Sequence, residues 1–169
     1  MEIFYTFIII SILGTLLHFT YDLSGKKIWV GIFSSVNESV WEHIKLLLTP
    51  IFLLETIKYV FQDQNNYFIR LLLMLLASII LIILFEYFIT KYIKRFKPLF
   101  YISTFYITSL IVSIIDYIIK HINPFYVLNI VSMIICLMIF ILYLTFTIFP
   151  PRYRIFKDPI TGTYGIPNM

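Results

Sequence analysis

The chain has 169 residues, of which 60% are hydrophobic, 19% aromatic and only 13% charged, with a net charge of +4 and a mean hydropathy of +0.93. A soluble domain carries nearer a quarter charged residues and needs polar groups to cover its surface; the composition therefore excludes a water-soluble globule and predicts one integral membrane domain. The basic residues fall in short loops between apolar runs, which excludes nucleic acid and makes the lipid bilayer and its anionic head groups the partner.

A bilayer core of about 30 Å takes roughly 20 apolar residues of helix. Five stretches satisfy this, at 3–21, 38–61, 67–89, 98–121 and 125–149. The predicted fold is all-α, a bundle of five transmembrane helices over residues 1–149, with a cytoplasmic tail at 150–169. Met1-Glu2-Ile3-Phe4 lacks a basic segment and a small-residue cleavage site, so the first stretch reads as a retained span. The fifth stops at Pro150-Pro151, where a helix cannot readily continue. Cys136 is the one cysteine, which excludes a disulfide framework and a paired-cysteine zinc motif. An odd number of spans without an internal repeat argues against an inverted-repeat transporter. Abundant Ile, Phe, Tyr, Lys and Asn suggest an AT-rich, bacterial genome.

The basic residues set the orientation. Lys26, Lys27, Lys45, Lys91, Lys94, Arg95, Lys97, Arg152, Arg154 and Lys157 fall on one side, and Lys58, Arg70 and Lys120 on the other. This predicts an outside N-terminus and a cytoplasmic C-terminus in the bacterial plasma membrane. His18 and Asp22 of the first span, the start of the second and the tail residue Asp158 then meet at the cytoplasmic face.

Three spans carry polar residues at helical spacing: Ser11, Thr15, His18 and Asp22; Ser109, Ser113, Asp116 and Lys120; Asn129, Ser132, Cys136, Tyr143 and Thr147. Such seams either pack helices closely or line a polar cavity. The third span has no seam and is expected to be the most lipid-exposed. Asp116 with Lys120, Glu55 with Lys58, and Glu86 near Lys91 have the spacing of local ion pairs.

Chemistry concentrates in Val36-Asn37-Glu38-Ser39-Val40-Trp41-Glu42-His43-Ile44-Lys45. Glu38 and Glu42 are one turn apart, as are Ser39 and His43. One reading is a divalent metal site, such as zinc, formed by His18, Glu38, Glu42 and His43, since imidazole and carboxylate suit it. Another makes Ser39 a nucleophile with His43 as base. A third has Glu38, Glu42 and His43 handle protons or cations. The plainer alternative is a capping box with Ser35 as N-cap and Glu38 at its third position, and a Glu42–Lys45 pair. With metal, the catalytic set Glu38, Glu42 and His43 suits hydrolysis of a lipid-like substrate at the interface, with Asp22 and Asp158 in support. Without it, the chain is a solute-binding or transport subunit, or a membrane assembly partner.

Between the first two spans, Ser24-Gly25 marks a turn, and Ile28-Trp29-Val30-Gly31-Ile32-Phe33 is apolar but too short to cross. It either lies in the interface, where Trp29 suits the aromatic belt, or dips back toward the bundle. The tail from Asp158 to Pro167 is rich in turn formers, which favours a lid over the cytoplasmic mouth above a loose end.

Three blocks, His18-x-x-Tyr21-x-x-Ser24-Gly25, Val36-Asn37-Glu38-Ser39-x-Trp41-Glu42-His43-x-Lys45 and Asp158-Pro159-x-Thr161-Gly162-x-Tyr164-Gly165-Ile166, resemble those of a family of small bacterial multi-span membrane proteins described as a domain of unknown function. The resemblance covers most of the chain. It implies a bacterial membrane protein and supplies no reaction.

Overall fold

The computed structural model describes residues 1–61, 65–93 and 97–166. Lys94, Arg95 and Pro167, and the side chain of Lys97, lie outside what it describes. Helix α1 spans Glu2–Leu23, α2 is the single turn Ile28–Gly31, α3 is Val40–Phe61, α4 Tyr67–Tyr92, α5 Lys97–Lys120 and α6 Tyr126–Ile148, and a 3-10 turn covers Arg154–Phe156. Among the described residues the only β pairing is one bridge between Lys157 and Tyr164. The fold is a helical membrane bundle. Helices α1, α4, α5 and α6 are each long and apolar enough to cross a membrane. Helix α3 has 22 residues, about 33 Å at 1.5 Å per residue, but it carries Glu42, Lys45, Glu55 and Lys58.

Helices α1 and α4 each pack on both α3 and α5, which closes a ring of four, and α6 lies against α4. The polar seams are spent in this packing. Ser11 and Ser109 share a 3.0 Å hydrogen bond between α1 and α5, and the Thr49 and Tyr143 hydroxyl oxygens lie 2.8 Å apart between α3 and α6. The expectation that the span without a seam faces lipid is overturned. In α4, 44% of the membrane-spanning stretch is buried, against 17% in α6. Apolar side chains such as Met74 and Leu75, both fully buried, pack a membrane helix as well as polar ones do, because dispersion drives the contact. Asn129 of α6 accepts the N–H groups of Phe68 and Ile69 at 2.8 and 3.3 Å, satisfying donors left open at the start of α4.

One close approach follows from a proline. Pro50 lies inside α3 and has no N–H to give the carbonyl of Leu46, four residues earlier. That carbonyl faces Gly14 of α1: a Cβ at position 14 would sit 2.5 Å from the Leu46 oxygen and 2.6 Å from the Phe105 ring. Glycine is required here for space.

A buried ionic network ties α1, α3, α4 and α5 together. Lys58 Nζ donates to Glu55 at 2.7 Å, Asp116 at 2.5 Å and Thr6 Oγ1 at 3.2 Å. Arg70 reaches the other oxygen of Glu55 at 3.1 Å and that of Asp116 at 3.0 Å, and donates to the Asn65 carbonyl. The Glu55–Lys58 pair is as the spacing predicts. Two others are not. Asp116 serves this network while Lys120 pairs with Glu2 at 3.0 Å, and Glu86 accepts from Tyr101 while Lys91 bonds Tyr87. Burial decides the first: Asp116 is 6% exposed and needs cations that are themselves buried.

Candidate functional site

The site is built where the chain enters α3. The α2 segment dips back into the bundle, and three successive carbonyls are met by side chains of the long helices. Lys45 Nζ donates to Gly31 at 2.8 Å, Tyr143 to Ile32 at 2.8 Å and Thr49 to Phe33 at 2.9 Å. A short apolar segment cannot leave its carbonyls unpaired at such depth, so these three donors fix its path. Trp29 remains 65% exposed.

The predicted capping box at Ser35 does not form, and the N-cap lies one turn later. Helix α3 begins at Val40, with His43 N–H donating to the Ser39 carbonyl at 3.2 Å and Glu42 N–H to the Ser39 hydroxyl at 3.4 Å. Ser39 is therefore the N-cap, and Glu42 holds the third position. Glu42 turns inward, 1% exposed, and accepts from Val36 N–H and Lys45 Nζ, each at 2.9 Å. Ser35 bonds the Asn37 carbonyl, and Asn37 Oδ1 accepts from Ser39 N–H. Glu38 is thereby released from the helix, and its side chain points elsewhere.

It points between two imidazoles. Glu38 Oε2 lies 3.3 Å from His43 Nε2, and Oε1 lies 3.8 Å from His18 Nε2. The two rings are stacked, with centroids 6.5 Å apart, and Tyr101 of α5 stacks on the far side of His43 at 5.9 Å. The Tyr101 hydroxyl continues to Glu86 of α4 at 3.4 Å. His18 Nδ1 is buried without a hydrogen-bond partner among the described residues. The side chains of His43, His18 and Glu38 are 24%, 32% and 43% exposed. His43 beside it holds the Glu38 carboxyl below the ordinary carboxylate value, against the opposing effects of burial and of Asp158.

The tail folds over this entrance. Asp158 accepts from Ile160 N–H at 3.0 Å and from Thr161 through both its N–H and its hydroxyl. Burial pushes the Asp158 carboxyl up, but these bonds, with one from Glu38 N–H, outweigh it and leave it below its ordinary value. Asn37 Nδ2 donates to the Gly165 carbonyl at 3.0 Å. Gly165 has φ +63° and a Cβ there would meet Pro150 at 2.7 Å, so only glycine closes this turn. Ile166 packs with Tyr21 and Val36, and Phe156 with Trp41 and Phe146.

Of the four residues expected to bind metal, His18, Glu38 and His43 come together and Glu42 does not. The cost of its burial is met by Lys45, which removes it from the cluster. Among the described residues, no group of three or more His, Cys, Asp or Glu side chains is placed to hold a metal ion. Ser39 is 1% exposed and engaged as the N-cap. Asp22 stays exposed at the end of α1, whereas Asp158 is buried at 3% exposure and bonded within the tail. Sequence spacing missed Tyr101 and Glu86, which approach from other helices; a tyrosine one turn inside α5 was the available signal.

Residues 2–166 match the Family of unknown function (DUF6512), and the chain belongs to it. No curated protein and no solved structure matches the chain.

Proposed function

We propose that this member of the family is a five-span protein of the bacterial cytoplasmic membrane whose activity is carried by reversible proton binding at His18 and His43, beside the ionised Glu38 carboxylate, on the cytoplasmic face. The observation that carries the reading is one carboxylate facing two imidazole nitrogens, at 3.3 and 3.8 Å, at a partly exposed end of a bundle. Imidazole is the side chain whose ordinary charge change falls between about pH 5 and 8.

Helix α3 supplies the fifth span. Its charges are spent inside the bundle on Lys45, Glu42 and the Glu55–Lys58 network, so none of them faces lipid. That pairing also supports the orientation. With Lys45, Lys58 and Arg70 buried, the basic residues left among the described side chains to meet water or head groups are Lys26, Lys27, Lys91, Arg152, Arg154 and Lys157 at the cluster's end, against Lys120 at the other. The bias favours a cytoplasmic cluster, N-terminus outside.

The reading places the protein among non-enzymatic, proton-responsive membrane components, in preference to metal-dependent hydrolases. Carboxyl-carbon NMR of Glu38 in the detergent-solubilised protein tests it. The Glu38 titration is expected below the ordinary carboxylate range, returning toward it in His18→Gln/His43→Gln. A titration indifferent to both histidines overturns the proposal. Elemental analysis of the same preparation, with His43→Ala alongside, is the second check. One metal per chain, lost in the variant, would replace a proton site with a metal centre.

A further inference from the structure

The segment between α1 and α3 has two unlike faces. Its inner face is fixed to the bundle. Gly31 comes so close that a Cβ there would sit 2.8 Å from Val36 and 3.1 Å from the Tyr21 ring. The carbonyls of Gly31, Ile32 and Phe33 are held by Lys45, Tyr143 and Thr49, and Ser34, fully buried, bonds the Val30 carbonyl. The outer face is apolar and open: Ile28, Trp29 and Phe33 are 47%, 65% and 46% exposed. Trp29 and Phe33, four residues apart on one turn, share that face.

Depth decides what the outer face meets. Thr49 lies nine residues after Val40, the first residue of α3, which is about 13 Å at 1.5 Å per residue. Its short side chain bonds the Phe33 carbonyl at 2.9 Å, so Phe33 stands inside the hydrocarbon when α3 crosses the bilayer. Trp29, one turn earlier, then stands at the boundary with the head groups, where an indole is favoured. Lys26 and Lys27, both exposed, come just before it at head-group level.

The charge at that level is positive. Lys26 has φ +61°, in the left-handed region where glycine is the least strained choice, so a cationic side chain stands there at a conformational cost. Arg152, Arg154 and Lys157, all exposed, follow α6 at the same end, and α6 is the helix whose Tyr143 holds the segment. Against these five cations, the exposed acid at the end of α1 is Asp22. An apolar side chain, an indole and then paired cations, in order of decreasing depth, complement a phospholipid with a negative head group.

We infer that α2 and the turn before it form a binding site for an anionic phospholipid of the cytoplasmic leaflet: Phe33 and Trp29 lie along its acyl chain, and Lys26 and Lys27 hold its phosphate-bearing head group. The choice of leaflet rests on the orientation proposed above; the proton site plays no part in it.

The test uses the full chain in phosphatidylcholine vesicles doped with a minor fraction of either phosphatidylglycerol or phosphatidylcholine carrying brominated acyl chains. Tryptophan quenching is read in the parent and in Trp29→Phe, and the difference separates Trp29 from Trp41, which is 7% exposed. Both brominated lipids are expected to quench Trp29, with phosphatidylglycerol favoured at least about fivefold, the preference that one basic residue near a membrane surface supplies. Lys26→Gln/Lys27→Gln is expected to keep the quenching and lose the preference. In the parent, high salt is expected to weaken the preference, because exposed charges are screened; this check needs no variant. Equal quenching by the two lipids, or a preference that survives both high salt and the double variant, overturns the anionic site. Quenching by neither places the face against water or a second protein copy and overturns the lipid site altogether. None of these readouts involves the Glu38 titration, so this inference and the proton site fail separately.

Discussion

Lys58→Met isolates the energetics of the buried network. The side chain of Lys58 is 10% exposed and its ammonium meets Glu55, Asp116 and Thr6 at 2.7, 2.5 and 3.2 Å. Methionine keeps the length and apolar stem but removes the charge. Glu55, fully buried, and Asp116, 6% exposed, are then left with one cation, Arg70, between two carboxylates. Breaking a buried pair by removing one partner costs about 3–5 kcal/mol, because the remaining charge is uncompensated. At about 1.4 kcal/mol per factor of ten, that is roughly two to four orders of magnitude in the folding equilibrium.

Adding Asp116→Asn restores charge balance and leaves the Glu55–Arg70 pair intact. The double variant is expected to recover at least about 2 kcal/mol of the loss, a coupling within the range seen for residues of one network. Reversible unfolding in mixed micelles, followed by circular dichroism, gives the parent, both single variants and the double. A loss below about 1 kcal/mol in Lys58→Met, the size of a surface pair, would refute the reasoning, as would strictly additive single and double variants.

Gly14→Ala forces a methyl against the Leu46 carbonyl at 2.5 Å and is expected to cost about 1–3 kcal/mol, the range for overpacking, read in the same unfolding assay. Asn129→Ala removes the acceptor for Phe68 and Ile69 N–H and is expected to cost about 1 kcal/mol, as a lost helix cap does, with faster hydrogen exchange confined to the first turn of α4. Glu38, its carboxyl held below the ordinary value by His43, contributes stability above the ordinary carboxylate value, lost as pH falls through its own lower value. The parent should melt above Glu38→Gln at about pH 6, and the gap should close as pH falls from the ordinary carboxylate value through the lowered one; a gap that widens in acid would contradict this sign.

The long helices were legible because roughly 20-residue apolar runs have one structural outcome in lipid. The polar seams were legible as faces, since Ser11, Ser109 and Tyr143 are all buried, but spacing alone did not say against what. Asp116 shows why. Lys120 was the neighbour four residues on, yet the partners are Lys58 and Arg70, 58 and 46 residues away in sequence, brought close by packing that a local rule cannot see. The same limit displaced the capping box. Ser35 and Ser39 each precede an acid by three residues, and the choice fell to Ser39 because Glu42 finds a buried cation in Lys45 while Glu38 finds imidazoles. His18 and His43 were legible as a pair only through the topology that puts the end of α1 beside the start of α3.

The two charged clusters of this bundle differ in burial and in access to solvent, and that difference supports the proposed proton site. At one end, Lys58 spends all three of its N–H donors, both carboxylates are met on both oxygens, and all four residues are at most 8% exposed. A buried network in which each carboxylate oxygen has a cationic nitrogen within 3.1 Å suits a clamp between helices. At the other end, Glu38 is too far from either imidazole for a short hydrogen bond, His18 Nδ1 has no partner among the described residues, and all three side chains reach solvent. Bond order left over, together with access, is what a reversible site needs. If the proposed proton site is right, variants of the two clusters separate in experiment: Lys58→Met in the unfolding equilibrium, His18→Gln/His43→Gln in the pH response of a bundle that remains folded.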